Sequence, residues 1–92
     1  MEEYYEMYEF TYKAKGDLGL CIIARTEEIA NKILYWVNID RDEKEKYKPR
    51  LFRFKKKILI DIEPYSLEQH QLETAELTYK NRCEYRRNNQ MI

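Results

Sequence analysis

Glycine and proline are scarce in this chain, two of each among 92 residues, and histidine occurs once. Gly16 and Gly19 are too few for a glycine-rich phosphate loop. The lone His70 lacks a partner for catalysis. Cys83 follows it by thirteen residues, which on one helix is a rotation of about 140°, so a Cys–His dyad does not form there. His70 with Glu73 is at most half of a metal site, and Cys83 points away from it. His70 therefore reads as a solvated helix residue. The expectation is no catalytic residue, no metal, no cofactor and no enzymatic activity.

Cysteine is equally sparse. Cys21 and Cys83 do not make the dense, even set of a disulfide framework. Cys21, inside Leu20-Cys21-Ile22-Ile23, reads as a small core residue, and a reducing, cytoplasmic setting is expected. No apolar run approaches the roughly 20 residues of a membrane span. The first nine residues carry four glutamates and no base, which does not fit a secretory signal. The length fits one small α+β domain over residues 1–92, with an expected radius of gyration of about 12 Å.

Tyrosine, in contrast, is abundant, with nine residues. Residues with AT-rich codons (Phe, Tyr, Met, Ile, Asn, Lys) number 39, and those with GC-rich codons (Gly, Ala, Arg, Pro) number 15. This points to an AT-rich gene, as in low-GC bacteria, their phages and archaeal viruses.

Periodicity lays out the elements. Tyr8, Phe10, Tyr12 and Ala14 alternate with mostly polar residues, a half-buried strand. Gly16-Asp17-Leu18-Gly19 supplies a turn. Leu20 to Arg25, apolar on both faces until Arg25, reads as a strand in the middle of the sheet. Thr26 caps a helix over about residues 27–38, with Glu27 and Glu28 in the first turn favoured by the dipole. Ile29, Ala30, Ile33, Leu34 and Val37 make its apolar face, flanked by Trp36, and Ile33 and Trp36 are expected against the sheet. Residues 39–50 form a charged connector, functional or mobile at that length. Phe52, Phe54, Ile58, Ile60 and Ile62 share a parity, so one strand is expected over about 51–63, with a bulge near Lys56. Pro64 ends it. Ser66 and Gln69 fit a capping box for a helix over about 67–87. Leu72, Ala75, Tyr79 and Cys83 fall within about 80° on it; Leu67, Leu77 and Tyr85 lie off that stripe, and residues 88–92 should fray. The fold expected is a two-layer α+β domain: an antiparallel sheet of three or four strands with two helices on one face, in the order ββαβα, or ββαββα if the third strand is split.

Charge is balanced overall but segregated. Residues 41–57 hold nine basic and three acidic residues, whereas residues 1–9 and 58–79 are acidic. Basic residues interleaved with Tyr47, Phe52 and Phe54 suit single-stranded nucleic acid. An isoelectric point near 6.6 does not. Arg53, Lys55 and Lys57 read equally as the solvated face of an edge strand. Tyr4, Tyr5, Tyr35, Tyr47, Tyr65 and Tyr85 have no evident core slot, and exposed tyrosines near arginine suit a protein interface.

The functional expectation is a non-enzymatic protein-binding module with Tyr4, Tyr5, Tyr35, Tyr47, Arg50, Arg53, Lys55, Lys57 and Tyr85 as contact residues. In style it resembles phage and mobile-element accessory proteins, including anti-CRISPR proteins, that inhibit host machinery by covering a binding surface. Its partner would be a host protein or nucleoprotein complex, with direct nucleic-acid binding weak and no membrane contact. The alternative is a small nucleic-acid-binding accessory protein using residues 41–57. A third reading is a subunit or homodimer paired through the sheet edge.

Overall fold

The computed structural model describes residues 3–16 and 18–90. Asp17 of the expected turn and residues 91–92 of the end expected to fray lie outside the described residues. The chain is an α+β domain in which four antiparallel strands form one sheet beside two helices. The strands are β1 (Tyr5–Ala14), β2 (Leu18–Ala24), β3 (Lys48–Pro49) and β4 (Lys55–Ile60); the helices are α1 (Glu27–Asn38) and α2 (Pro64–Gln90).

The even residues of β1 build the core, as their alternation predicts. Phe10, Tyr12, Ile22 and Ala24 are buried and meet Ala30 and Ile33 of α1, with Leu72 and Ala75 of α2 packed against the same cluster. Both helices thus serve one face of the sheet. Met7, of the opposite parity, is also fully buried and sits across from Ile58 in the ladder. Ile58 and Ile60 share that second face with Met7 and are only half-buried, and Ile62 is exposed. They are not the extension of the main core that their parity with Phe54 suggested.

The central strand is β1, not β2. Among the described residues β2 pairs with β1 along one side only. At Ile23 and Arg25 its other edge is closed by side chains of α2. The Gln71 amide accepts from the Ile23 N–H at 2.9 Å and donates to its carbonyl at 2.6 Å. The buried Glu68 carboxylate accepts from the Arg25 N–H at 2.8 Å and pairs with its guanidinium at 2.7 Å. These groups stand in for a neighbouring strand, so an apolar strand here is an edge strand with a helix beside it. Cys21, on its outward parity, is exposed rather than in the core. Both cysteines are free thiols.

α1 begins where expected, with the Thr26 hydroxyl accepting from the Ile29 N–H at 3.3 Å. α2 begins three residues earlier than the capping box implies. Glu63, not Ser66, is the cap: its carboxylate accepts from the backbone N–H groups of Tyr65 and Ser66 and from the Ser66 hydroxyl. Those bonds, the Ser66 hydroxyl foremost, hold the Glu63 carboxyl below its ordinary pKa. Pro64, which lacks the N–H that a first helical residue leaves unpaired, begins the helix. Trp36 is half-buried against Tyr79 of α2, ring centroids 5.9 Å apart, so it fills the seam between the helices rather than packing on the sheet.

At about 1.5 Å per residue the 27 residues of α2 reach about 40 Å. The helix continues through Asn88–Gln90, so the expected fraying of those residues is not found. The molecule measures 57 × 30 × 19 Å with a radius of gyration of 15.3 Å, well above that of a compact chain of this length. Arg82 ties the far half of α2 to Asp40 after α1 by two hydrogen bonds of 2.8 Å, and Arg86 approaches the same carboxylate at 3.3 Å. Burial alone would raise the Asp40 carboxyl pKa. The hydrogen bond and charge of Arg82, with the charge of Arg86, outweigh it and hold the group below its usual value.

Candidate binding surface

The connector between α1 and β4 is tied down by side-chain contacts. The Asn38 side chain donates to the Tyr47 carbonyl (2.9 Å) and accepts from the Tyr47 N–H (2.8 Å). Arg41 lies 4.8 Å above the Tyr47 ring and donates to the Glu45 carbonyl. A single 3₁₀ turn, Glu43–Glu45, sits between. Tyr47, expected to lack a core slot, is half-buried against the main cluster.

The chain then reaches β1 twice. β3 places Pro49 opposite Tyr12, while the ladder of β4 places Lys55 opposite Phe10. Between them Thr11 serves both ends of the excursion: its carbonyl accepts from the Arg50 N–H at 3.1 Å and its N–H donates to the Phe54 carbonyl at 2.8 Å. Leu51, Phe52 and Arg53 are thereby extruded from the sheet. The expected strand over 51–63 shrinks to β4, its ladder runs unbroken through Lys56, and the irregularity lies at 50–54 instead. Arg53 turns the loop with a left-handed φ of 57°. Phe54 returns to pack on Phe10 and Tyr12, with centroids 5.5 and 5.4 Å away. Phe52, two residues earlier and of the same parity, is 83% exposed, and Leu51 is 95% exposed.

This loop is costly. Leaving a leucine and a phenylalanine in water forgoes about 1.5–3 kcal/mol each relative to burial. A non-glycine residue in the left-handed region costs about 1–2 kcal/mol more. Nothing in the packing of the described residues repays that cost.

The loop forms one wall of a groove of about 610 Å³. Lys13 comes from the end of β1 and Lys15 from the turn after it, Lys44, Lys46 and Lys48 from the connector, and Arg50 and Arg53 from the loop itself. Glu43 approaches Lys46 at 3.2 Å and Lys48 at 3.8 Å, but these are exposed pairs worth little in water. The field in the groove stays cationic.

The predicted contact residues are scattered. Arg50 and Arg53 line the groove. Lys55 sits 4.1 Å over the Tyr8 ring, and Lys57 forms an ion pair with Glu6, both along β4. Tyr4 is exposed just before β1. Tyr5 is half-buried, and its hydroxyl donates to Glu3, which raises the phenol pKa. Tyr35 is exposed on α1 beside Trp36, Tyr65 on the first turn of α2, and Tyr85 near the far end of α2. No single surface gathers them. The sequence reading missed the pair at the tip, Leu51 and Phe52, and the contribution of Lys13 and Lys15 from β1 and the turn after it. One signal was available: adjacent Leu51 and Phe52 cannot both face a core from a strand, and arginines flank them on both sides.

His70 is exposed on α2. Among the described residues no group of three or more His, Cys, Asp or Glu side chains could hold a metal ion, and no helix is long and apolar enough to cross a membrane. The chain matches no protein-family model, no curated protein and no solved structure.

Proposed function

We propose that this chain is a non-enzymatic protein-binding module that seats Leu51 and Phe52 in an apolar pocket of a partner whose rim is acidic. One observation carries the reading: two adjacent apolar side chains stand almost fully exposed on a strained loop, with seven cations around the adjoining groove. Apolar anchors inside a charged rim are the usual anatomy of an interface hot spot. Leu51 argues for a protein pocket over a base stack, since an aliphatic side chain has no π-face to offer. Overall neutrality argues the same way. The AT-rich codon usage supports an accessory protein of a phage or other mobile element, inhibiting host machinery by covering a surface in the manner of anti-CRISPR proteins. The free thiols of Cys21 and Cys83 suit work in the cytoplasm.

A second reading rests on the convergence of those seven cations beside Phe52, which suits single-stranded nucleic acid along residues 41–57. Fluorescence anisotropy with short single- and double-stranded oligonucleotides at low and moderate salt separates the two. The protein-binding reading expects dissociation constants no tighter than about 10⁻⁴–10⁻⁶ M. Tight binding with a steep salt slope, abolished by Arg50→Ala/Arg53→Ala, would replace it with the second.

A further inference from the structure

The two edges of the sheet are treated differently. β2 is closed at Ile23 and Arg25 by Gln71 and Glu68. β4 pairs with β1, and among the described residues no strand pairs with its outer side. The bond between Thr11 and Phe54 sets the phase of that ladder. Antiparallel hydrogen-bonded positions alternate, so Lys56, Ile58 and Ile60 turn their backbone groups to β1, while Lys55, Lys57 and Leu59 turn theirs outward. The same alternation on β2 leaves Ile23 and Arg25 outward, where Gln71 and Glu68 meet them.

We propose that this open edge pairs with the β4 edge of a second copy of the chain, antiparallel about Ile58, forming one continuous eight-stranded sheet. The argument is charge complementarity along the strand. Residues 55–61 read Lys-Lys-Lys-Ile-Leu-Ile-Asp. Two-fold pairing centred on Ile58 sets Lys55 opposite the partner's Asp61, twice by symmetry. It sets Lys57 opposite the partner's Leu59, and Ile58 opposite the partner's Ile58. Cross-strand neighbours share a face, so each Lys55–Asp61 pair is in reach. Sliding the register by two residues toward the lysines sets Lys57 against Lys57, which like-charge repulsion opposes. Sliding it the other way, about Leu59, sets Lys57 against Asp61 and Lys55 against Glu63, but Lys57 is already paired with Glu6 and the Glu63 carboxylate is taken up in capping α2. Edge lysines ordinarily discourage pairing; with Asp61 just past the end of β4, the register about Ile58 turns Lys55 into a cross-chain partner. Leu59, 68% exposed, gains cover along the same edge. The loop at 51–53 stays outside this contact, so dimerisation stands independently of the binding partner.

Sedimentation velocity on the isolated chain, from low micromolar to near-millimolar concentration, tests this. Wild type is expected to dimerise with concentration. Lys55→Glu and Asp61→Lys alone should each weaken the dimer by about tenfold or more. The double charge swap should restore it. Both side chains are exposed, so the circular dichroism of each variant should match wild type, and the melting temperature should fall by no more than a few degrees, the most for Lys55→Glu, which loses its contact with the Tyr8 ring. A monomer at every concentration, a dimer indifferent to the single reversals, or a swap that fails to recover would each overturn the proposal.

Discussion

The side-chain amide of Gln71 binds both backbone groups of Ile23, 48 residues earlier in the chain, through bonds of 2.9 and 2.6 Å. A single side chain thereby does for β2 what a neighbouring strand does elsewhere in the sheet. Removing it leaves a partly buried N–H and C=O without their partner. Gln71→Ala should cost about 1–3 kcal/mol in urea unfolding, as orphaned buried polar groups do. The exposed edge should also raise the tendency to aggregate, read by light scattering.

Phe52 and Phe54 should behave oppositely. Phe54 packs on Phe10 and Tyr12, whereas Phe52 stands in solvent. Phe54→Ala should lower stability by about 2–4 kcal/mol, somewhat below the cost at a fully buried site. Phe52→Ala should stay within about 0.5 kcal/mol of wild type. Equal losses from the two would contradict the extruded loop.

That contrast also marks where the sequence was legible. Tyr8, Phe10, Tyr12 and Ala14 keep one period with no interruption, and Thr26 announces α1, so β1 and α1 fall where their pattern places them. Phe52 and Phe54 carry the same parity, yet the left-handed turn at Arg53 breaks the phase between them. Periodicity cannot foresee a positive φ at an arginine. The apolar run of β2 was legible as burial but not as position, because Gln71 and Glu68 replace the strand that such a run suggests. The groove was half legible. Its connector and loop cations lie in one basic segment, but Lys13 and Lys15 join only through the pairing of β3 with β1.

Arg53→Gly separates strain from contact. Glycine adopts the left-handed region without a Cβ penalty, though it adds freedom to the unfolded chain. The variant should be as stable as wild type or more so by up to about 1 kcal/mol in urea unfolding. Partner binding should weaken in the same variant, because a groove cation is lost.

Tyr12 carries an alkaline signature. Its hydroxyl is buried with no hydrogen-bond partner among the described residues, and burial, aided by the charge of Glu27, pushes its pKa up to about 12. The raised folded value favours the neutral phenol. Its contribution to stability is therefore complete below the unfolded value of about 10 and is lost as pH rises toward 12. Tyr12→Phe should flatten that part of the stability–pH curve. It should cost little at neutral pH, since no hydrogen bond is broken.

The most direct test of the binding surface is photo-crosslinking from position 52. A photoreactive phenylalanine analogue replaces Phe52 in one variant and His70, on α2, in another, and each is crosslinked in cell lysate, with nuclease added to half of every sample only after crosslinking. The account predicts one discrete protein adduct from position 52, none from position 70, and loss of the adduct when Leu51→Ser is added. An adduct that is nucleic acid, or a protein captured equally from both positions, would contradict it.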